Sequence, residues 1–263
     1  IDIIRFFTCP FILLIHCPLP GALGDAIIQI GRYGVPFFLL LSGWFSYASD
    51  TQEMIFRAKK KLADTMKLLG SFVVAYVIMN SASAVLSEEH ILSWVWPHAN
   101  IKSLVYLVLF NRAVFLGSTG YYPLMLIYVY AIFLLLARYN LLKKAIPAVP
   151  GLLMVNVLLG AFTELPWFCY GNFLFTGLPF FLMGHWLHKH YERLPKTPSV
   201  WLCVLGAGVL LSLAEACLNR PAYCSVGSIC MAVALLLFAV NHNKKVANQR
   251  VIRALQRYSV YIF

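Results

Sequence analysis

A chain of 263 residues that is 61% hydrophobic and only 12% charged, with a mean hydropathy of +0.77, is not an ordinary soluble domain, in which about 25% of residues are charged. Several runs reach the ~20 apolar residues that a bilayer crossing needs, so the chain reads as an all-α polytopic membrane protein. The net charge of +11 does not call for nucleic acid as a partner, because the cations follow a membrane topology instead.

The first apolar run, IDIIRFFTCPFILLIHCP, carries Arg5 and His16 with ten residues between them. Eleven helical steps of ~100° bring the two side chains within about 20° of one face, and a ~1.5 Å rise sets them ~16 Å apart. That is about half of a ~30 Å hydrocarbon layer. Ionisable groups at such depth are costly and mark a working site by default. The plainer reading makes Arg5 a snorkelling anchor and His16 a histidine satisfied by a neighbouring helix. A histidine there also suits general-base chemistry, since its ordinary pKa lies near neutrality. Pro10, between them, is expected to bend the helix or open its hydrogen bonding. No small-residue cleavage site follows, so the run is not read as a signal peptide. The chain opens at Ile1 and stops at Phe263 within a new apolar run, and both ends read as trimmed.

Eight complete spans are predicted, at roughly 1–17, 27–49, 62–86, 122–138, 146–162, 172–190, 199–218 and 224–241. A truncated ninth starts at about 258, and ten are possible in the full protein. The separators are rich in Pro, Gly and polar residues, such as PLPGALGD, PAVPG, RLPKTP and LNRPAY. Residues 87–121 form the longest connection, rich in Trp and Tyr, with room for an interfacial or re-entrant helix. A further span at 101–117 is disfavoured by Asn111 and Arg112. With the N-terminus inside and spans alternating, sixteen cations fall on the inner side: Arg57, Lys59, Lys60, Lys61, Lys67, Arg138, Lys143, Lys144, Lys189, Arg193, Lys196, Lys244, Lys245, Arg250, Arg253 and Arg257. Three fall outside, Lys102, Arg112 and Arg220. This positive-inside bias supports a multi-pass protein of the plasma membrane with a cytoplasmic N-terminus. The segment NKKVANQRVIRALQRY reads as a basic amphipathic helix on the inner surface.

Other stretches have chemical potential beside a plain reading. In GRYGVPFFLLLSGWFSY, residues 31–47, Gly34, Pro36, Ser42 and Gly43 thin a bulky helix, for close packing or for a ligand. In FRAKKKLADTMK, residues 56–67, the crowded cations suit anionic lipid or the phosphates of a nucleotide-like cofactor, or simply mark an inner loop. His185, His188 and His190 do not share one helical face, so no metal site is predicted, and the seven cysteines show no ligand spacing. Cys217 and Cys224 flank one short loop and can pair if it faces an oxidising side. Asp25, Glu164 and Glu215 are candidates to orient His16, with nothing in the sequence to choose among them.

Taken together, these pieces resemble the type-3 membrane acyltransferases, the group that includes O-antigen and nodulation-factor O-acetylases. The resemblance rests on the Arg, ten residues, His spacing; on VPFFLLLSGWF; on RAKKKL; on FTGLPFFLMG; and on the terminal YSVYIF. It extends in order over nearly the whole chain, as a single integral-membrane domain over 1–263. It implies transfer of an acyl group, usually acetyl, from cytoplasmic acyl-CoA to a hydroxyl of an extracytoplasmic glycan or similar acceptor. By this resemblance His16 is the catalytic histidine, Arg5 its motif partner, and Arg57, Lys60 and Lys61 the loop that holds the CoA phosphates. The chain departs from the family pattern at Gly120-Tyr121-Tyr122-Pro123, at Lys61 where Arg is common, and at Gly171-Asn172 where an Arg-Asn pair is frequent. The alternatives are a transporter or flippase of a lipid-linked or small polar substrate, which also uses broken helices and buried charges, and a non-catalytic family member.

Overall fold

The computed structural model describes residues 1–113, 116, 120–217 and 224–242. The ninth span from about 258, YSVYIF, the amphipathic helix from Asn243 with its five cations, and Arg220 all lie outside the described residues.

Among the described residues the elements are helical throughout. In chain order they are α1 (Asp2–His16), α2 (Gly21–Gly31), α3 (Gly34–Ser46), α4 (Thr51–Leu86), a short 3-10 turn (Trp96–His98), α5 (Ile101–Phe110), α6 (Tyr121–Arg138), α7 (Leu142–Ala145), α8 (Val149–Phe162), a π turn (Phe173–Gly177) leading into α9 (Leu178–Lys189), α10 (Pro198–Cys217) and α11 (Val226–Asn241). Each of the eight predicted spans falls on helix. Five stretches are long and apolar enough to cross a membrane: Gly21–Ser46, Thr51–Leu86, Tyr121–Arg138, Leu142–Phe162 and Pro198–Cys217. The helices α1, α9 and α11 are apolar but shorter.

Two boundaries differ from the predicted spans, each for a local reason, and the disfavoured segment at 101–117 ends at the residue that argued against it. The span predicted from 62 begins at Thr51, because Asp50 caps the helix by accepting the Glu53 N–H at 2.9 Å. Its 36 residues extend ~54 Å, well beyond a ~30 Å hydrocarbon layer. The basic stretch is therefore the opening turns of a projecting helix and not a loop. The span predicted at 27–49 begins at Gly21 and breaks at Arg32 and Tyr33, dividing it into α2 and α3. At 101–117, α5 stops at Phe110 because Asn111 takes the left-handed conformation, φ +46, which Asn tolerates better than most residues. A helix of 10 residues covers only ~15 Å and does not cross.

At the centre α3 lies against α9. Phe37, Leu39 and Leu40 meet Phe180, Phe181 and Leu182, all of them buried, with Met125, Val129 and Phe133 of α6 closing the third side. The approach needs glycine on both helices: a Cβ on Gly43 would strike the Phe181 carbonyl, and one on Gly184 the Leu40 carbonyl. Small residues at such crossings let helices pack where lipid supplies no hydrophobic drive. Toward the C-terminal ends of these two helices, the His188 ring stacks on Trp44 at 4.5 Å and its Nδ1 lies 2.7 Å from the Trp44 carbonyl.

The π turn ahead of α9 is held by buried amides. Asn172 caps it, accepting from Leu174 N and Phe175 N at 2.9 and 3.1 Å. Asn156 of α8 donates to the Tyr170 and Phe175 carbonyls and to Thr176 Oγ1. Asn111 accepts from Phe173 N at 2.7 Å. These side chains satisfy backbone groups that the irregular turn leaves open, which a membrane interior makes obligatory.

Candidate active site

In α1 the backbone ladder runs through Pro10, which has no N–H for the carbonyl of Phe6. Just ahead of it, Thr8 Oγ1 donates to the Ile4 carbonyl at 2.8 Å and Cys9 Sγ to the Arg5 carbonyl at 3.2 Å. Thr8 also accepts from the Tyr33 hydroxyl at 3.4 Å, tying α1 to the α2–α3 break. Phe11 and Ile15 rest on Gly31, and Ile12 on Gly34. One face of α1 is thus committed to α2 and α3.

Arg5 lies beside that face. Its side chain is 30% exposed and one terminal nitrogen sits 3.5 Å from Asp2, three residues away. Its Nε is buried and has no hydrogen-bond partner. Within its electrostatic reach is Tyr122 at the start of α6, whose hydroxyl interacts with Ser42 of α3. The Tyr130 hydroxyl interacts with Ser42 and Ser46. Both serines also back-bond along their own helix, to the carbonyls of Phe38 and Ser42. A strip of hydroxyls therefore links α3 and α6, its Tyr122 end within electrostatic reach of the guanidinium. Tyr122 stands at the Gly-Tyr-Tyr-Pro departure, and long-range packing alone brings it to Arg5.

His16 closes α1 and is exposed. Ile15 packs on Gly31, fifteen residues from the C-terminal end of α3 at Ser46, or ~22 Å along a helix axis. The structure does not bring Arg5 and His16 together, because both belong to one continuous helix. Nor does it single out an orienting carboxylate: Asp25 and Glu164 are exposed, and Glu215 accepts from Val226 N at 3.0 Å and Gly227 N at 3.4 Å at the start of α11. Cys217 and Cys224 are both free thiols.

On α4, Met54, Ala58 and Thr65 form the buried stripe. At ~100° per residue, Lys61 lies ~40° from the middle of that stripe, Arg57 ~80° and Lys60 ~140°, so Lys60 points away from the bundle. Arg57 Nε donates to Glu53 at 2.8 Å, and another of its nitrogens to the Tyr47 carbonyl at 3.1 Å. Lys60 and Lys61 are exposed. The guanidinium is the one predicted phosphate ligand already engaged by the protein.

The family model for this acyltransferase domain matches residues 1–263. The chain belongs to the type-3 membrane acyltransferase family. No curated protein and no solved structure matches it. Membership extends over the α1 pair, the basic start of α4 and the π turn with α9. Sequence reasoning missed Tyr122 as a residue within electrostatic reach of Arg5, and it read His185 as an interface polar residue rather than a metal ligand.

Proposed function

We propose that the protein is a membrane O-acyltransferase that moves an acyl group, most simply acetyl, from cytoplasmic acyl-CoA to a hydroxyl of an extracytoplasmic glycan or similar acceptor. In this reading it lies in the plasma membrane with its N-terminus in the cytoplasm. The observation that carries the reading is the unpartnered, buried Nε of Arg5 beside a hydroxyl strip. Such an arrangement is costly in a membrane helix and useful for holding a polar group of the donor.

The ~16 Å between Arg5 and His16 along the helix divides the work. His16 takes the proton of the acceptor hydroxyl, whose oxygen bonds to the thioester carbonyl carbon. Arg5, too far along the helix to reach the same carbonyl, steadies the donor. When that species collapses the carbon–sulfur bond breaks, the CoA thiolate leaves, and the proton held by His16 completes the balance. Arg57, Lys60 and Lys61 hold the donor phosphates at the inner mouth.

Mass spectrometry of cell-surface glycans with and without the gene tests this. One acetyl mass should vanish with the gene, and an unchanged acetylation pattern contradicts the reading. The broken α2–α3 segment also suits a transporter or flippase. Consumption of acetyl-CoA by purified membranes separates the two, since transport leaves the thioester intact.

A further inference from the structure

His185, in the middle of α9, is only 4% exposed, and its Nδ1 is buried with no hydrogen-bond partner. Buried polar groups are nearly always paired, so an orphan of this kind needs an explanation. The ring is walled by Phe133 on one side and by Tyr47 on the other, each 5.3 Å away between centroids. Tyr47 follows the end of α3 at Ser46, and its N–H donates to the Trp44 carbonyl at 3.3 Å. Its carbonyl is held by Arg57, and its ring also leans on His188 at 4.9 Å. One residue therefore separates the guanidinium on α4 from the unsatisfied imidazole in the bundle.

Resting on the acyl-CoA reading above, we propose that His185 forms a subsite for the amide-bearing arm of the donor, covered by Tyr47 until the donor arrives. A secondary amide offers both an N–H and a carbonyl, so it can pair with the free ring nitrogen in either tautomer. Phosphates that draw Arg57 away from the Tyr47 carbonyl release that residue, and the arm then follows the phosphates inward to His185. The subsite lies on α9, apart from the α1 pair, and takes no part in the chemical step. Its role is to position the donor.

The test uses the full chain in lipid nanodiscs with acetyl-CoA and with acetyl-phosphopantetheine, which keeps the amides and lacks the nucleotide. His185→Phe keeps the ring volume and should raise KM for both donors about ten-fold, the loss of roughly one hydrogen bond, with kcat little changed. His185→Asn, which restores a polar amide, should recover part of that loss. Arg57→Gln should raise KM for acetyl-CoA far more than for acetyl-phosphopantetheine. An unchanged KM for both donors in His185→Phe and His185→Asn, with wild-type turnover intact, overturns the subsite alone. Absence of thioester turnover by the wild type overturns the acyl-CoA reading and the subsite with it. Should His185→Phe fold poorly, as thermal melting would show, the apolar His185→Leu takes its place, with a raised KM expected and an unchanged KM overturning the subsite.

Discussion

Gly43 of α3 and Gly184 of α9 each face the other helix's backbone with no room for a side chain, Gly43 against the Phe181 carbonyl and Gly184 against that of Leu40. The two helices run side by side down the middle of the bundle, and what stands toward their C-terminal ends, Trp44, Tyr47, His185 and His188, is set by this contact.

Replacing either glycine by alanine forces backbone apart, at a cost of about 1–3 kcal/mol for overpacking. Gly43→Ala and Gly184→Ala should lower the melting temperature of the purified protein by several degrees or prevent its isolation. Gly206→Ala is the control, because nothing lies within 4 Å of its added carbon, and it should melt like the wild type.

Exposed thiols report orientation. Cys17 and Cys217 are exposed and stand at the ends of α1 and α10, both on the outer side by the positive-inside assignment, whereas Cys9 and Cys224 are buried. A membrane-impermeant maleimide applied to intact cells should label the first two and leave the second two unmodified until denaturation. Labelling of Cys17 and Cys217 only after permeabilisation would reverse the topology.

The Arg57–Glu53 pair is half exposed, with side chains at 48% and 47%, and such pairs contribute little to stability. Its effect on the donor should be larger than its effect on folding. Glu53→Gln should leave the melting temperature within a degree or two and lower the KM for acyl-CoA about two-fold. Lys61→Glu should raise that KM more than Lys60→Glu, since Lys60 points away from the bundle. All three effects should shrink as salt rises.

Glu215 serves the start of α11, where Ser225 and Ser228 form a capping box. Glu215→Gln should destabilise the protein by about 1 kcal/mol, the usual worth of a carboxylate at a helix N-terminus, and leave kcat unchanged. A large fall in kcat with normal melting would return Glu215 to the list of groups that orient His16.

Much of the architecture was legible because apolar length is a direct physical requirement of the bilayer, and the helices fall on the eight predicted segments. The start of α4 was missed although Asp50 and Glu53 have the spacing of a helix cap, because attention to the apolar run outweighed the capping signal. The break at Arg32 and Tyr33 was legible in part, since Gly34 and Pro36 marked this stretch as one that breaks or thins the helix, although its exact place was not. Nor were the buried amides around the π turn: Asn111 serves Phe173 across 62 residues of chain, and no local pattern encodes that partnership. The same holds for the site. The spacing of Arg5 and His16 could be read from one helix, but Tyr122 comes within electrostatic reach of Arg5, and Tyr47 covers His185, only through the packing of separate helices.

The claim that His16 is the base in acyl transfer is tested most directly by one comparison. Wild type and His16→Ala are reconstituted in equal amounts in sealed vesicles, with labelled acetyl-CoA on the cytoplasmic side and a hydroxyl-bearing glycan acceptor opposite. The expected result is acetyl transfer by the wild type and its loss in His16→Ala, about 100-fold or more for removal of a general base, with insertion and melting unchanged. Transfer by His16→Ala at the wild-type rate would contradict the role of His16.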